Sequence, residues 1–386
     1  MILDRMFGAM VNGYAKPSKE NKMSLKPLEA EEKLCQFQAE EGWQRIVTVE
    51  MHTGGEPLRI VASGYPPIPG RNVIERRSYC AAELDHLRKL IMWEPRGHAD
   101  MYGCILTPPN EDFDDVQADF GVLFMHNEGY SSMCGHGIIA VTKLAIESGL
   151  VLAEEGESIV RIDAPAGRIT AKATIQQGRV TAVSFENVAC FVQLFNQRVT
   201  VEPFGEIEFD LAYGGAFYAY VDALQAGLEL SANAKNVQRL IHAGREIKKV
   251  IQQEFNITHP IHEDLSFLYG TVFHGPARDS THHSRNVCIF ADGEVDRCPT
   301  GTGVSGRAAI EYARGDLALG ESITIESIMG TTFDVCPLRE TEVDQRVAIV
   351  PRVTGNAYFT GRNEFWIDPA DSLGQGFLIS GETRYE

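Results

Sequence analysis

Two segments of this chain echo one another, and they constrain its fold more than any other feature. Met133-Cys134-Gly135-His136-Gly137 runs into the helical pattern IIAVTKLAIESG, and Pro299-Thr300-Gly301-Thr302-Gly303 runs into VSGRAAIEYARG. Aligned, Cys134 faces Thr300, Gly135 faces Gly301, His136 faces Thr302 and Gly137 faces Gly303. Both runs carry apolar residues at helical spacing and stop near a glycine, Gly149 or Gly315, as a C-cap requires. Each half of the chain must therefore bury a helix that starts at a residue-Gly-x-Gly turn. The pattern predicts two related lobes facing each other across a cleft, with the two helix starts brought together.

The remaining sequence is mostly strand-like. RIVTVEM, PLRIVASG, SIVRIDAP, RITAKATI, VTAVSFEN, SITIESIMG and QRVAIVP are rich in Val, Ile and Thr and bounded by Gly, Pro or Asp. Helical patterns are confined to Ala81–Glu94, Gly137–Ser148, Ala232–Phe255 and Gly303–Arg314. Many close strands with few helices predict an antiparallel α+β architecture, not a doubly wound parallel sheet. At 386 residues, two lobes are also the expectation from length. Residues 1–43 read as a flexible, Lys- and Glu-rich extension with a helix at Lys26–Glu41. Residues 44–188 read as the lobe carrying the Cys134 motif, completed by 352–386, and residues 189–351 as the lobe carrying the Thr300 motif.

Charge and cysteine usage narrow the function classes. Lys and Arg total 35 against 53 Asp and Glu, a net charge of -18, which repels nucleic-acid phosphates and anionic membranes. An anionic substrate must then be held by local dipoles. No run approaches the roughly 20 apolar residues of a membrane span, and the N-terminus has no apolar core of signal-peptide type. The eight cysteines, at 35, 80, 104, 134, 190, 288, 298 and 336, show neither C-x-x-C pairs nor regular spacing. Free thiols in a reducing compartment, the cytoplasm, are the simplest expectation.

The echo also implies chemistry. A helix N-terminus presents unpaired N–H groups and about half a positive charge. Two converging N-termini make a nest for a carboxylate without Arg or Lys. The same field is expected to lower the pKa of a thiol placed there, which singles out Cys134. A thiolate beside a carboxylate nest, in a chain with no metal or cofactor motif, points to removal of a proton α to that carboxylate.

Three motifs then carry a family resemblance: MHTGGEPLRIV (Met51–Val61), MCGHG (Met133–Gly137) and DRCPTGTG (Asp296–Gly303). In this order and spacing they resemble the signatures of the proline racemase family, from about Val47 to the C-terminal GNAYFTGRNEFWIDPADSLGQGF. The resemblance implies a diaminopimelate epimerase-like fold: two lobes, each a curved sheet around a central helix, with the active site in the cleft. Racemases and epimerases of the family use a second cysteine in D-R-x-P-C-G-T-G. Here that position is Thr300, and Cys298 stands two residues early. A threonine hydroxyl is too weak an acid to shuttle a proton as a thiol does.

A Cys/Thr pair is what the family's trans-3-hydroxy-L-proline dehydratases carry, so the resemblance implies elimination of water. Cys134 is then the base, and Thr300 its partner on the far face. Amides of Gly135, His136, Gly301 and Thr302 would hold the carboxylate, and Asp296 would receive the ring ammonium. The resemblance implies an imino-acid substrate, no cofactor and no metal, and it is compatible with a homodimer. Its alternative is a proline racemase or hydroxyproline 2-epimerase that uses Cys298.

Each site residue has a plainer reading. Cys134 alone is a small buried thiol, Thr300 an N-cap and Asp296 a turn acid. His52 and Glu56 have no role legible beyond shaping a turn. His282, His283 and Cys288 fit no zinc spacing. GTGVSG (Gly301–Gly306) matches a dinucleotide fingerprint, but the broken, polar DRCPT precedes it where a buried strand is required.

Overall fold

Alternation of apolar and polar residues sets the sheet. In the strand Gly167–Gln176, Ile169, Ala171, Ala173 and Ile175 point inward while their neighbours face out. The computed structural model describes residues 27–112 and 116–379. A short helix, α1 (Pro27–Gln36), belongs to an N-terminal unit, residues 1–43, separate from residues 44–386. It ends at Gln36 and not at Glu41 as expected, and residues 1–26 of the expected extension lie outside the described residues.

In the first lobe, β1 (Gln44–Thr53) pairs antiparallel with β2 (Glu56–Ser63), and β2 pairs parallel with β3 (Tyr102–Thr107). β3 is antiparallel to β4 (Phe120–His126). β4 is antiparallel to the short β5 (Tyr130–Ser131) and parallel to β6 (Gly156–Ala164). From β6 the sheet continues as an antiparallel meander through β7 (Gly167–Gln176) and β8 (Arg179–Glu186).

The second lobe repeats this pairing for pairing. β9 (Cys190–Val201) pairs with β10 (Gly205–Tyr213), and β10 with β11 (Phe217–Asp222). β11 runs parallel to β12 (Leu268–Gly275), and β12 antiparallel to β13 (Ser284–Phe290). β13 pairs antiparallel with β14 (Glu294–Val295) and parallel with β15 (Ile323–Glu326). β16 (Thr332–Val343) and β17 (Arg346–Gly355) complete the meander. β18 (Ala357–Ile367) returns to β1 and takes the place there that β9 takes beside β10. The lobes join where β17 pairs with both β8 and β9.

Each lobe wraps a helix that starts just after its two-residue strand. These are α4 (Gly135–Glu147) and α6 (Gly301–Arg314), the two echoed segments. Residues Gly135–Lys143 of α4 are buried without a break, which suits a helix surrounded by sheet and not lying on one. Ile138, Ile139 and Val141 share one core with Val304, Ala308 and Ile310 of α6. Burying each large aliphatic side chain contributes about 1.5–3 kcal/mol. Gly149 and Gly315 both take the left-handed conformation at the helix ends, with φ of 77° and 83°.

The outer helices pack on the far face of each sheet. The expected helix Ala81–Glu94 is instead two: α2 (Val73–Glu83) and α3 (Asp85–Met92). Asn72 starts α2 by accepting the Glu75 N–H at 2.9 Å, and the chain turns at Leu84, where the Leu87, Leu90 and Ile91 stripe requires a new direction. α5 (Ala234–Glu254) lays Leu240, Ala243, Ile247 and Ile251 on the second sheet. Among the described residues no helix is long and apolar enough to cross a membrane.

Candidate active site

At the start of α4, Cys134 is in extended conformation, φ -145° and ψ 108°. Its Sγ caps the helix by accepting the Gly137 N–H at 3.3 Å, and its carbonyl accepts the Ile138 N–H at 3.0 Å. At the start of α6, the Thr300 carbonyl accepts the Val304 N–H at 2.7 Å, the equivalent bond. The resemblance then breaks. Thr300 has φ 70° and ψ 97°, a left-handed φ that a β-branched residue rarely adopts. Its hydroxyl caps nothing, so the plain N-cap reading fails for its side chain. The Oγ1 atom is buried with no ordinary hydrogen bond, the Cys288 thiol being its polar neighbour.

The helix starts meet at their glycines. A Cβ on Gly135 would stand 2.7 Å from the Gly301 Cα, and a Cβ on Gly301 2.7 Å from the Gly135 Cα. No side chain fits between them, so both positions must be glycine. The next pair repeats the symmetry: a Cβ on Gly137 would meet Cys134 Sγ at 3.0 Å, and one on Gly303 would meet the Thr300 Cβ at 3.0 Å. First-turn amides, here those of Gly135, His136, Gly301 and Thr302, have no acceptor within their own helices. Both sets therefore open on one place.

That place is a small cavity lined by Cys134, Gly135 and His136 from one lobe and by Asp296, Thr300, Gly301 and Thr302 from the other. Its walls are Tyr102, Met133, Tyr218, Tyr269, Cys288 and Phe290. Met133 belongs to the MCGHG motif, but sequence reasoning missed the others as walls of the site, because scattered aromatic and thiol positions on β3, β11, β12 and β13 carry no local pattern. Tyr218 fixes Thr302, hydroxyl to hydroxyl at 2.7 Å, and Tyr102 meets Ser131 Oγ at 2.6 Å. The free space is about 20 Å³, room for one water, so a ring substrate enters only if the walls move. A cavity of about 560 Å³ elsewhere, bounded by Asp100, Asn127, Arg245, Glu294 and Arg297, is larger but holds none of these groups.

Burial corrects one expectation. The Cys134 thiol is pushed well above its ordinary pKa, because desolvation outweighs the Gly137 N–H that favours the thiolate. The nearby Asp296 carboxylate pushes the same way. Burial at this site thus opposes the thiolate that the helix-end position favours. The His136 ring lies 3.2 Å from Sγ through Nδ1, and burial holds it below its ordinary pKa, so it is neutral.

Asp296 closes a turn by accepting the Cys298 N–H at 2.8 Å, as its plainer reading expects, and it also lines the cavity. Cys298 is fully buried and accepts the Thr300 N–H at 3.3 Å. It does not line the cavity, yet its sulfur, a nitrogen of His136 and an oxygen of Asp296 all lie within 4.8 Å of one another. No sequence spacing reveals this group, because its members come from different lobes.

Glu56 is the clearest miss. It is wholly buried, and its Oε2 accepts the Arg297 N–H at 2.7 Å, tying the MHTGGEP turn to the Asp296 segment. Burial and the Asp296 charge hold its carboxyl well above the usual range, and Oε1 has no partner. His52 shapes the turn, with Nδ1 accepting the Gly55 N–H at 3.2 Å and the ring stacked on Tyr358. His282 is engaged with Glu326 at 3.0 Å, away from Cys288. No strand runs into Gly301, since β14 ends at Val295, so the dinucleotide pattern lacks its structural context.

Two interlocked lobes that aim a pair of helix starts at one buried thiol define a class of enzymes that work at a carbon beside a carboxylate. This chain belongs to the proline racemase family, whose model matches residues 48–378. It is 46% identical over 340 residues to the trans-3-hydroxy-L-proline dehydratase of Colwellia psychrerythraea, covering 88% of this chain and 94% of that one. It is 44% identical over 334 residues to the 3-hydroxyproline 2-epimerase of Burkholderia multivorans, covering 86% and 98%. Among solved structures, the hydroxyproline epimerase of Agrobacterium vitis with bound trans-4-hydroxy-L-proline matches with a TM-score of 0.79. The identity there is 31%, over 87% of this chain and 96% of that one.

Proposed function

We propose that this protein is a trans-3-hydroxy-L-proline dehydratase. The observation that carries the reading is the asymmetry of the two helix starts. A thiol caps α4, and a threonine with an uncapping hydroxyl stands at the equivalent place on α6. Racemisation needs an acid–base group on each face of the α-carbon; elimination needs a base on one. The dehydratase relatives support the same choice.

The substrate carboxylate sits on the amides of Gly135, His136, Gly301 and Thr302, and the ring ammonium on Asp296. That cation offsets the Asp296 charge, the lesser of the two influences that push the Cys134 pKa up, and so favours the thiolate when substrate is bound. In the trans isomer the 3-hydroxyl and the α-hydrogen share a ring face, the face toward Cys134. The thiolate takes the α-proton, and the C–H electron pair becomes the C2–C3 double bond. The C3–O bond breaks with its pair on oxygen, and the proton on sulfur joins the departing hydroxide as water. The enamine then tautomerises to 1-pyrroline-2-carboxylate. All electrons come from the substrate, so the reaction needs no redox partner.

The direct test follows product from trans-3-hydroxy-L-proline with a pyrroline-reactive reagent, beside chiral chromatography of the amino acid. Pyrroline without cis-3-hydroxy-D-proline is expected. Epimer without pyrroline would overturn the reading in favour of the epimerase alternative.

A further inference from the structure

His136, Asp296 and Cys298 are all buried, and their donor atoms lie within 4.8 Å of one another. They supply nitrogen, oxygen and sulfur, the mixture that suits a borderline divalent cation such as Zn²⁺. A second observation also points to a cation. Glu56 is wholly buried with Oε1 unpartnered, and it interacts electrostatically with both Asp296 and Cys298. The nearest cation, Arg297, is turned outward to Asp100 at 2.7 Å. Two acids and a thiol are thus gathered together, and the Arg297 guanidinium beside them is engaged with Asp100.

We infer that His136, Asp296 and Cys298 form an inhibitory site for a thiophilic divalent cation, one that competes with substrate. The geometry is complementary across the cleft: His136 comes from the start of α4, and Asp296 and Cys298 from the segment that leads into α6. A metal bound there joins the two lobes and occupies Asp296. Its binding releases the Cys298 thiol proton, because the thiolate is the ligand. The Glu56 carboxylate, which interacts electrostatically with Asp296 and Cys298, would support the metal from outside its ligand set. Cys298 acts only here: it lines no part of the cavity, and its two-residue offset from Thr300 keeps it from the α-carbon. Competition with substrate rests on the proposed role of Asp296, whereas metal binding does not.

The test uses the full chain, stripped with chelator and titrated with Co²⁺ as a spectroscopic stand-in for Zn²⁺. One equivalent is expected to give a thiolate-to-cobalt charge-transfer band, which Zn²⁺ abolishes by displacement. The band should persist in Cys134→Ser and vanish in Cys298→Ser. Glu56→Gln should weaken binding by about tenfold. Thermal melts of Cys298→Ser and of a second ligand variant, Asp296→Asn, show whether each is folded, and either one folded and without Co²⁺ affinity supports the site. Pyrrole-2-carboxylate, a planar mimic of the deprotonated substrate, should expel the metal. A band that survives in Cys298→Ser but is lost in Cys134→Ser overturns the site, placing the metal on the other thiol; so does absence of any band in wild type. These readouts need no turnover, so a failed activity assay and a failed metal site remain distinguishable.

Discussion

The starts of α4 and α6 are built on one plan and end differently. Both put a helix between the same pair of strands, both use glycine where they touch, and both close the first turn through the carbonyl of the N-cap residue. Two residues, Ser132 and Met133, link β5 to Cys134, whereas four, Asp296 to Pro299, link β14 to Thr300. The longer link carries Asp296, which lines the cavity wall, and ends at Thr300 with a positive φ. One start therefore presents a sulfur that caps its helix, and the other a carboxylate and a hydroxyl that caps nothing. A symmetric scaffold yields one-sided chemistry through the residue that stands at each start, a cysteine at 134 and a threonine at 300.

The sharpest way to break this contrast is to remove the thiol. Cys134→Ser should lower dehydration by about 10²- to 10⁴-fold, since serine supplies no oxyanion near neutral pH. The fold should persist, because an oxygen at that place can still cap the Gly137 N–H. A steady-state assay that finds a tenth of wild-type activity would remove Cys134 from the role of base.

The glycines test the part that is symmetric. Gly135→Ala and Gly301→Ala each drive a methyl group onto the opposite backbone, at the same 2.7 Å. Each should cost about 1–3 kcal/mol of stability and, by parting the amides, about 10²-fold in activity. The two variants should match in melting temperature and in kcat/KM. If one is tolerated and the other is not, the helix starts do not act as a pair.

Protonation gives a smaller effect. Because burial raises the Cys134 pKa, the base form in the free enzyme exists only above the ordinary thiol range. Below that pKa, kcat/KM should fall about tenfold for each unit of pH, and iodoacetamide inactivation should fall with it. Pyrrole-2-carboxylate should protect. Inactivation that is fast and flat from neutral pH upward would mean a thiolate in the free enzyme, contrary to the buried thiol described above.

These contrasts also separate what the sequence discloses from what it conceals. The helix starts, their glycines and Cys134 were legible because each rests on a local pattern, a residue-Gly-x-Gly turn followed by a helical run. The departure at Thr300 was legible because it breaks such a pattern in register. Its positive φ was not, since a β-branched residue rarely adopts one and no local pattern marks it. Tyr102, Tyr218 and Tyr269 read as ordinary strand residues, and only pairing across the sheets assembles them as walls. Glu56 stayed obscure because its partner, Arg297, comes from the other lobe. The thiol pKa was misjudged because a sequence shows the helix end but not the depth of burial, and burial is the larger influence.

The smallest expected effect bears most directly on the difference between the two starts. Thr300→Cys places a thiol where two-base relatives carry theirs, so it should gain racemisation of proline or epimerisation of 4-hydroxyproline. The gain should be slight. At α4 the sulfur is stabilised by the Gly137 N–H, but the Thr300 side chain accepts no equivalent bond, and its φ of 70° aims it differently from Cys134 at -145°. Without that amide the new thiolate is less available, and turnover should lie about 10²-fold or more below dehydration. Wild type in D₂O should at most exchange the α-hydrogen of L-proline with retention, because only one face carries a base. Chiral chromatography of L-proline incubated with each variant reads the outcome, with Cys298→Ser as control. D-Proline from Thr300→Cys alone would show that the residue at this position, not the scaffold, sets the reaction. D-Proline from wild type that disappears in Cys298→Ser would mean that Cys298 reaches the far face after all, and the one-sided reading would fall.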